Sequence, residues 1–295
     1  TIACIQVAGH AQPEGNPRFV SMEQFAADVA EATNGHVKIE VYGNGQLGTE
    51  KEMLEQVVAG TVQGMRGGQF DFSPRLLMFT LPFLTNTRAQ VTALLQSDLA
   101  QKVCAEAEGE TGTVIINLCD AGGYRQFSNS KHPIKAPADL KGLKMRMGGG
   151  LFGEAMQKLG VVAQNMPVGE VYQALEKGTL DAVEFVGPYD DQKLGFNKVA
   201  KYYYYPAWWE GGPQISTYIN AKKFAELPRE YQAMLESACA ETDAEMNARY
   251  DAKNPGALKQ LLVKTHETGG RESAARGEAG ARRQAAGAWV KPGPP

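Results

Sequence analysis

The first sixty residues alternate between two hydrophobic periods, and this alternation constrains the fold more than any other feature. Ile2-Ala-Cys-Ile-Gln-Val7 reads as a strand. His10 to Arg18 follows as a loop, broken by Pro13, Gly15, Asn16 and Pro17. Ser21 is expected to cap a helix, with Gln24 three residues on as its capping-box partner. Met22, Phe25, Ala26, Val29 and Ala30 then recur on one helical face, and Asn34-Gly35 ends the helix. Val37, Ile39 and Val41 alternate with polar residues, the mark of a half-buried strand. After a loop from Gly43 to Gly48, Thr49 starts a second helix with Met53, Leu54, Val57 and Val58 turned inward. Strand, helix, strand, helix predicts an α/β domain with a largely parallel sheet.

The pattern returns further on. Thr113 to Leu118 reads as a strand, and Leu143 to Met147 as another after the turn-rich run Lys135 to Gly142. Gly148-Gly149-Gly150 precedes a helix carrying Phe152, Ala155, Met156 and Leu159; Gly160 stops it, and Val161-Val162 opens a strand. Val171, Ala174 and Leu175 mark a helix closed by Gly178, and Leu180 to Val186 is a buried strand. A second α/β unit therefore spans roughly 120 to 205, and two such units imply a cleft between them. From Leu227-Pro228 onward Tyr231, Met234, Leu235, Ala238, Thr242, Met246 and Tyr250 share one face, predicting a long helix that passes beside both units. Residues 266–295 are rich in Gly, Ala and Arg and are expected to form a poorly ordered tail.

Composition narrows the function. At 295 residues the chain can bury about three quarters of its unfolded surface. It is 43% hydrophobic and 21% charged with a net charge of -3, which excludes a disordered chain and a polybasic nucleic-acid binder. The most apolar run, Leu76 to Leu84, is far shorter than the roughly 20 residues that span a bilayer. The four cysteines show no CxxC spacing and read as small buried hydrophobes, with a Cys104–Cys119 bridge left open. The start at Thr1, with no charged-then-apolar leader before it, fits a mature exported protein whose signal has been removed and equally a trimmed chain. Gly148-Gly149-Gly150 lacks the Lys and Ser/Thr of a phosphate loop, no Ser sits in a nucleophile elbow, and the four histidines are unpaired.

Three separated blocks carry a family resemblance. They are Gly45-Gln-Leu-Gly48, Ala136-Pro-Ala-Asp-Leu-Lys-Gly-Leu-Lys-Met-Arg-Met147, and Pro167-Val-Gly-Glu-Val-Tyr-Gln-Ala-Leu-Glu-Lys-Gly-Thr-Leu-Asp-Ala-Val-Glu184. In sequence and order they resemble the solute-binding proteins of tripartite ATP-independent periplasmic (TRAP) transporters, over about residues 1 to 260. Glu184-Phe-Val-Gly-Pro-Tyr-Asp-Asp-Gln-Lys-Leu-Gly-Phe196 and Lys201 to Gly212 are similar to the branch that binds α-keto and hydroxy acids beside a metal ion. The resemblance implies a two-domain periplasmic-binding-protein fold with a cleft and a long C-terminal helix spanning both domains. Domain one would comprise 1–121 plus about 207–242, and domain two about 122–206 plus 243–265. It further implies periplasmic location, a small organic acid as ligand, a TRAP permease as partner, no organic cofactor, and a homodimer formed through C-terminal helices.

The resemblance also assigns residues. Arg146 would hold the substrate carboxylate, as a planar guanidinium fork suits two carboxylate oxygens. Arg125 matches a second family arginine. Glu184, at the end of a buried strand, would bind the substrate or, with the Phe185 backbone, a cation, Na⁺ or Ca²⁺. Glu210 and Asp120 would complete the ion shell, and Trp209 and Phe70 would wall the pocket. Three other readings stay open: a receptor for a dicarboxylate or sugar acid without metal, a carboxylate-processing enzyme using Glu184 or Asp71 as base, and a sensory receptor.

Overall fold

The computed structural model describes residues 3–8, 16–43, 45–68, 73–81, 84–85, 87–120, 127–129, 133–148, 150–204 and 214–267. The chain begins with β1 (Ala3–Ala8), α1 (Pro17–Ala32), β2 (Val37–Tyr42), α2 (Glu50–Ala59) and β3 (Gly64–Gly68). A 3-10 turn at Leu76–Thr80 leads to α3 (Arg88–Leu95), α4 (Asp98–Thr111) and β4 (Thr113–Asp120). Next come β5 (Phe127–Asn129), β6 (Lys144–Arg146), α5 (Gly150–Lys158), β7 (Val162–Gln164) and α6 (Val168–Glu176). They are followed by β8 (Ala182–Glu184), α7 (Pro188–Lys193), α8 (Phe196–Val199) and β9 (Tyr202–Tyr204). β10 (Gln214–Asn220), α9 (Ala221–Ala225) and α10 (Arg229–Glu267) complete the described elements.

The strands form two five-stranded sheets, ordered β2-β1-β3-β10-β4 and β7-β6-β8-β5-β9. β1 runs parallel to β2 and β3, and β6 parallel to β7 and β8. β10 and β5 are antiparallel to both their neighbours, so each sheet is mixed rather than largely parallel. The cause is connectivity. After β9 the chain returns to the first sheet and inserts β10 between β3 and β4. Neither β3 nor β10 stands out in the sequence. β3 is Gly-Met-Arg-Gly-Gly, poor in strand formers, and β10 buries Ser216 and Thr217 where an apolar face would be expected.

Two local expectations are corrected. α1 is capped by Asn16, not Ser21: the Arg18 N–H donates to Asn16 Oδ1 at 2.9 Å, and Pro17 takes the first helical position. There proline's missing N–H is no loss and its fixed φ suits the helix, so the Asn-Pro pair starts an element instead of breaking one. Ser21 is buried within α1 and donates to the Arg18 carbonyl at 2.8 Å. In α2, capped reciprocally by Thr49 and Glu52, Val57 is buried but Val58 is 47% exposed, one residue further round the helix.

α10 joins the two cores. Its Leu235, Ala238 and Cys239 pack with Met22, Phe25 and Val29 of α1, while Met246 and Tyr250 pack with Val183, Phe185 and Phe196. Arg66 of β3, 1% exposed, pairs with Asp243 of α10 and donates to Ser21 Oγ at 3.2 Å, tying β3 to both helices. Cys104 and Cys239 are free thiols, so the Cys104–Cys119 bridge does not form. Among the described residues no helix is long and apolar enough to cross a membrane. α10 reaches Glu267, and the expectation for the tail beyond it falls outside the described residues.

Candidate functional site

The parallel pairing of β6 and β8 sets Arg146 opposite Val183, so Arg146 and Glu184 end neighbouring strands at the same sheet edge. The carboxyl ends of parallel strands are where α/β sheets gather ligand groups. Two helices begin just beyond: α5 after Met147 and Gly148, and α7 after Phe185, Val186 and Gly187.

Arg146 is oriented by its own half of the molecule. Its Nη1 donates to the Glu184 carbonyl oxygen at 2.8 Å, and its Nε reaches the Met166 carbonyl oxygen at 3.5 Å. The guanidinium carbon lies 5.2 Å from the centre of the Phe185 ring, a cation–π contact. Phe185 in turn meets Phe196 edge to face at 6.0 Å. The Glu184 side chain has no solvent exposure, and its Oε2 accepts the Gly148 N–H at 2.9 Å and lies 3.8 Å from Arg146 Nη1. A buried carboxylate needs such compensation. The Arg146 side chain keeps 14% exposure, so this held cation is open to solvent in part. A guanidinium oriented in advance binds a carboxylate with less ordering to lose.

Behind this edge lies a buried acidic pair, to which the sequence blocks assign no role. Asp190 and Asp191 occupy the first turn of α7, 0% and 2% exposed. The Tyr203 hydroxyl donates to Asp191 Oδ2 at 2.6 Å. Burial pushes the Asp191 carboxyl well above its usual range; Tyr203 opposes the shift, Asp190 and Glu184 add to it, and Arg146 opposes it. Gly187-Pro188 is the signal available in sequence, because it starts a helix within a buried run and so fixes where the two acids fall.

The site residues expected from sequence divide by position. Arg146, Glu184 and Phe185 come together at one strand edge. Arg125, Trp209, Phe70 and Glu210 lie outside the described residues, as does the side chain of Asp120, whose backbone ends β4 opposite Gln214. Among the described residues no three His, Cys, Asp or Glu side chains gather into a metal site. The Glu184 carboxylate and the Phe185 carbonyl are hard oxygen donors of the kind Ca²⁺ takes, so the chemistry of this part of the predicted ion shell fits. The 3-10 turn Leu76–Thr80 touches α5, the helix that follows β6.

Residues 8–275 match the model of the bacterial extracellular solute-binding proteins, family 7. The chain is 40% identical over 259 residues to the monocarboxylate 2-oxoacid-binding periplasmic protein of Nostoc sp., covering 85% of this chain and 69% of that one. A solved TRAP transporter solute binding protein from Bordetella bronchiseptica shares 32% identity at a TM-score of 0.81, covering 90% of this chain and 84% of the other. It is a mixed occupancy dimer with a calcium- and picolinate-bound active site versus an apo site. A TRAP periplasmic solute binding protein from Xanthobacter autotrophicus with bound galacturonate shares 26% identity at a TM-score of 0.79, covering 88% of this chain and 86% of the other. The α/β architecture with its long C-terminal helix is thus that of TRAP solute-binding proteins, receptors rather than enzymes, and the chain belongs to the bacterial extracellular solute-binding proteins of family 7.

Proposed function

We propose that the protein is a periplasmic receptor that takes up a small 2-oxo or 2-hydroxy monocarboxylate and delivers it to a TRAP permease. The observation that carries this reading is the fixed Arg146, held by the Glu184 carbonyl and the Phe185 ring beside a fully buried carboxylate. Arg146 receives the ligand carboxylate. A cation, Ca²⁺ or Na⁺, would be held by Glu184, the Phe185 carbonyl, Glu210 and Asp120, and would supply positive charge beside the ligand carboxylate. Such a charge would offset those of Glu184 and the ligand carboxylate where both are removed from water. Arg125 is a second contact to the acid, and Trp209 and Phe70 shield it from water. The 2-oxoacid-binding relative and the calcium in the Bordetella bronchiseptica protein support the choice of acid and ion.

In this reading the two sheets are the cores of two lobes, about 1–121 plus 207–242 and about 122–206 plus 243–265, and the ligand stabilises their closed arrangement. A homodimer is in keeping with the Bordetella bronchiseptica relative. The second reading, a sugar acid bound without metal, is favoured by the galacturonate in the Xanthobacter autotrophicus relative.

A thermal-shift screen decides between them. Pyruvate, lactate, longer 2-oxoacids, succinate and galacturonate are each tested with Ca²⁺, with Na⁺ and with chelator. A ligand at a hundred times its dissociation constant adds about 2.7 kcal/mol of stability, enough to move the melting point by several degrees. A shift with a 2-oxoacid that chelator abolishes supports the first reading. A shift with galacturonate that is indifferent to metal replaces it with the second.

A further inference from the structure

Elements of the first sheet meet those of the second at the start of α1. Asn16 Nδ2 donates to Asp190 Oδ1 in α7 at 2.8 Å, joining residues 174 apart in sequence. Both partners are buried. Arg18, two residues past the cap and 6% exposed, faces the Asp190 carboxyl, and the Tyr250 phenol of α10 lies against both groups. α1 packs on β2, so it moves with the first sheet. α7 follows β8 after three residues, so it moves with the strand that ends in Glu184. α10 packs along both helices.

Parting this contact would break the Asn16–Asp190 hydrogen bond and the buried packing of Arg18, Asp190 and Tyr250 that joins three helices. A hinge placed here avoids that penalty. We infer that Asn16, Arg18 and Asp190 are positioning residues: they fasten α1 to α7 as the fixed pivot of the cleft, unbroken in the open and closed forms, and set how the Arg146–Glu184 edge faces the first sheet. The opposite contact, between the turn Leu76–Thr80 and α5, is then the side that parts. The inference uses the two-lobe reading above but depends on no particular ligand.

Amide hydrogen exchange on the full chain without added ligand tests it. The Arg18 and Val20 amides donate to Asn16 Oδ1 and to the Asn16 carbonyl, and the Asp191 and Leu194 amides to the Gly187 and Asp190 carbonyls. With a fixed pivot these four exchange within tenfold of the slow amides where β4 pairs with β10. Exchange more than a hundredfold faster overturns the pivot. The variant Asn16→Ser separates the pivot from simple helix capping, because serine caps α1 but is too short to reach Asp190. The expected result is exchange at least tenfold faster at Asp191 and Leu194, with Arg18, Val20 and β10 unchanged. If α7 keeps its protection, Asn16 is only a cap and the inference fails. Small-angle scattering on the unliganded wild type tests the lobes separately: a profile that fits one closed arrangement counts against cleft opening itself, whatever the exchange pattern.

Discussion

Arg146 meets Glu184 twice, through its main chain and through its carboxylate: Nη1 lies 2.8 Å from the carbonyl oxygen and 3.8 Å from Oε2. The hydrogen bond to the main chain does not need the Glu184 carboxylate. Glu184→Gln keeps an oxygen for the Gly148 N–H and leaves the Arg146 contact to the backbone intact. Its melting point should stay within a few degrees of wild type, while calcium should no longer raise the affinity for pyruvate. Calorimetric titration with and without chelator reads this, and a retained calcium effect would remove Glu184 from the ion shell.

Arg146→Ala should lose about 3 kcal/mol of binding, a hundredfold or more, because two charge-assisted hydrogen bonds to the ligand vanish. Arg146→Lys keeps the charge but not the fork and should still lose at least tenfold. Unchanged affinity in the alanine variant sinks the assignment.

Asp191 holds its proton more tightly in the folded protein than at its ordinary value of 3.8, because burial disfavours the charged form. Above that ordinary value and up to the raised one, the native state binds the extra proton, so this group makes stability fall as pH climbs. Asparagine imitates the protonated acid and still accepts from the Tyr203 hydroxyl. Asp191→Asn should therefore show a flatter decline in melting temperature from pH 5 to pH 8 and should match or exceed wild type at pH 8. A wild-type slope in the variant would show that the burial penalty is relieved in some other way.

The thiols of Cys104 and Cys239 are both pushed up to about 12, chiefly by burial. At pH 8 about one in ten thousand is then a thiolate, the reactive form. Iodoacetamide should label neither in the native protein and both after denaturation, as read by peptide mass spectrometry. Rapid native labelling of Cys239 would mean that the α10 face around it opens.

Arg66→Met leaves Asp243 charged and buried without its cation, and should cost about 3–5 kcal/mol. Adding Asp243→Leu should restore most of that loss. Urea denaturation of the two variants gives the comparison, and a double variant no better than the single would place the damage in packing around Ser21 instead.

The sequence reveals elements whose signal is periodic and local. The face of α1, the alternation of β2, the capping of α2 and the apolar stripe of α10 all follow from side-chain spacing. β3 and β10 escape because their burial comes from neighbours. A strand of Gly, Met and Arg, or one with Ser and Thr at its centre, announces nothing until other strands flank it. The start of α1 escapes for a different reason, since Asn-Pro signals a break or a beginning depending on the residues after it. In the site, Arg146 and Glu184 are legible from family blocks. The buried Asp190 and Asp191 are not, because two adjacent acids ordinarily face water, and it is distant partners, Asn16 for Asp190 and Tyr203 for Asp191, that receive them inside.

β10 sits between β3 and β4, yet the chain reaches it only after laying down every strand of the other sheet. As the chain folds, the first sheet therefore stays open, with the facing edges of β3 and β4 unpaired, until β10 is laid between them. The first sheet cannot be completed by the residues up to β4, whereas β5 to β9 of the second sheet are contiguous, and a break anywhere between β4 and β10 separates the first core from the strand that closes it. Until that closure two strand edges stand side by side with their backbone groups open to any other strand, another copy of this chain included.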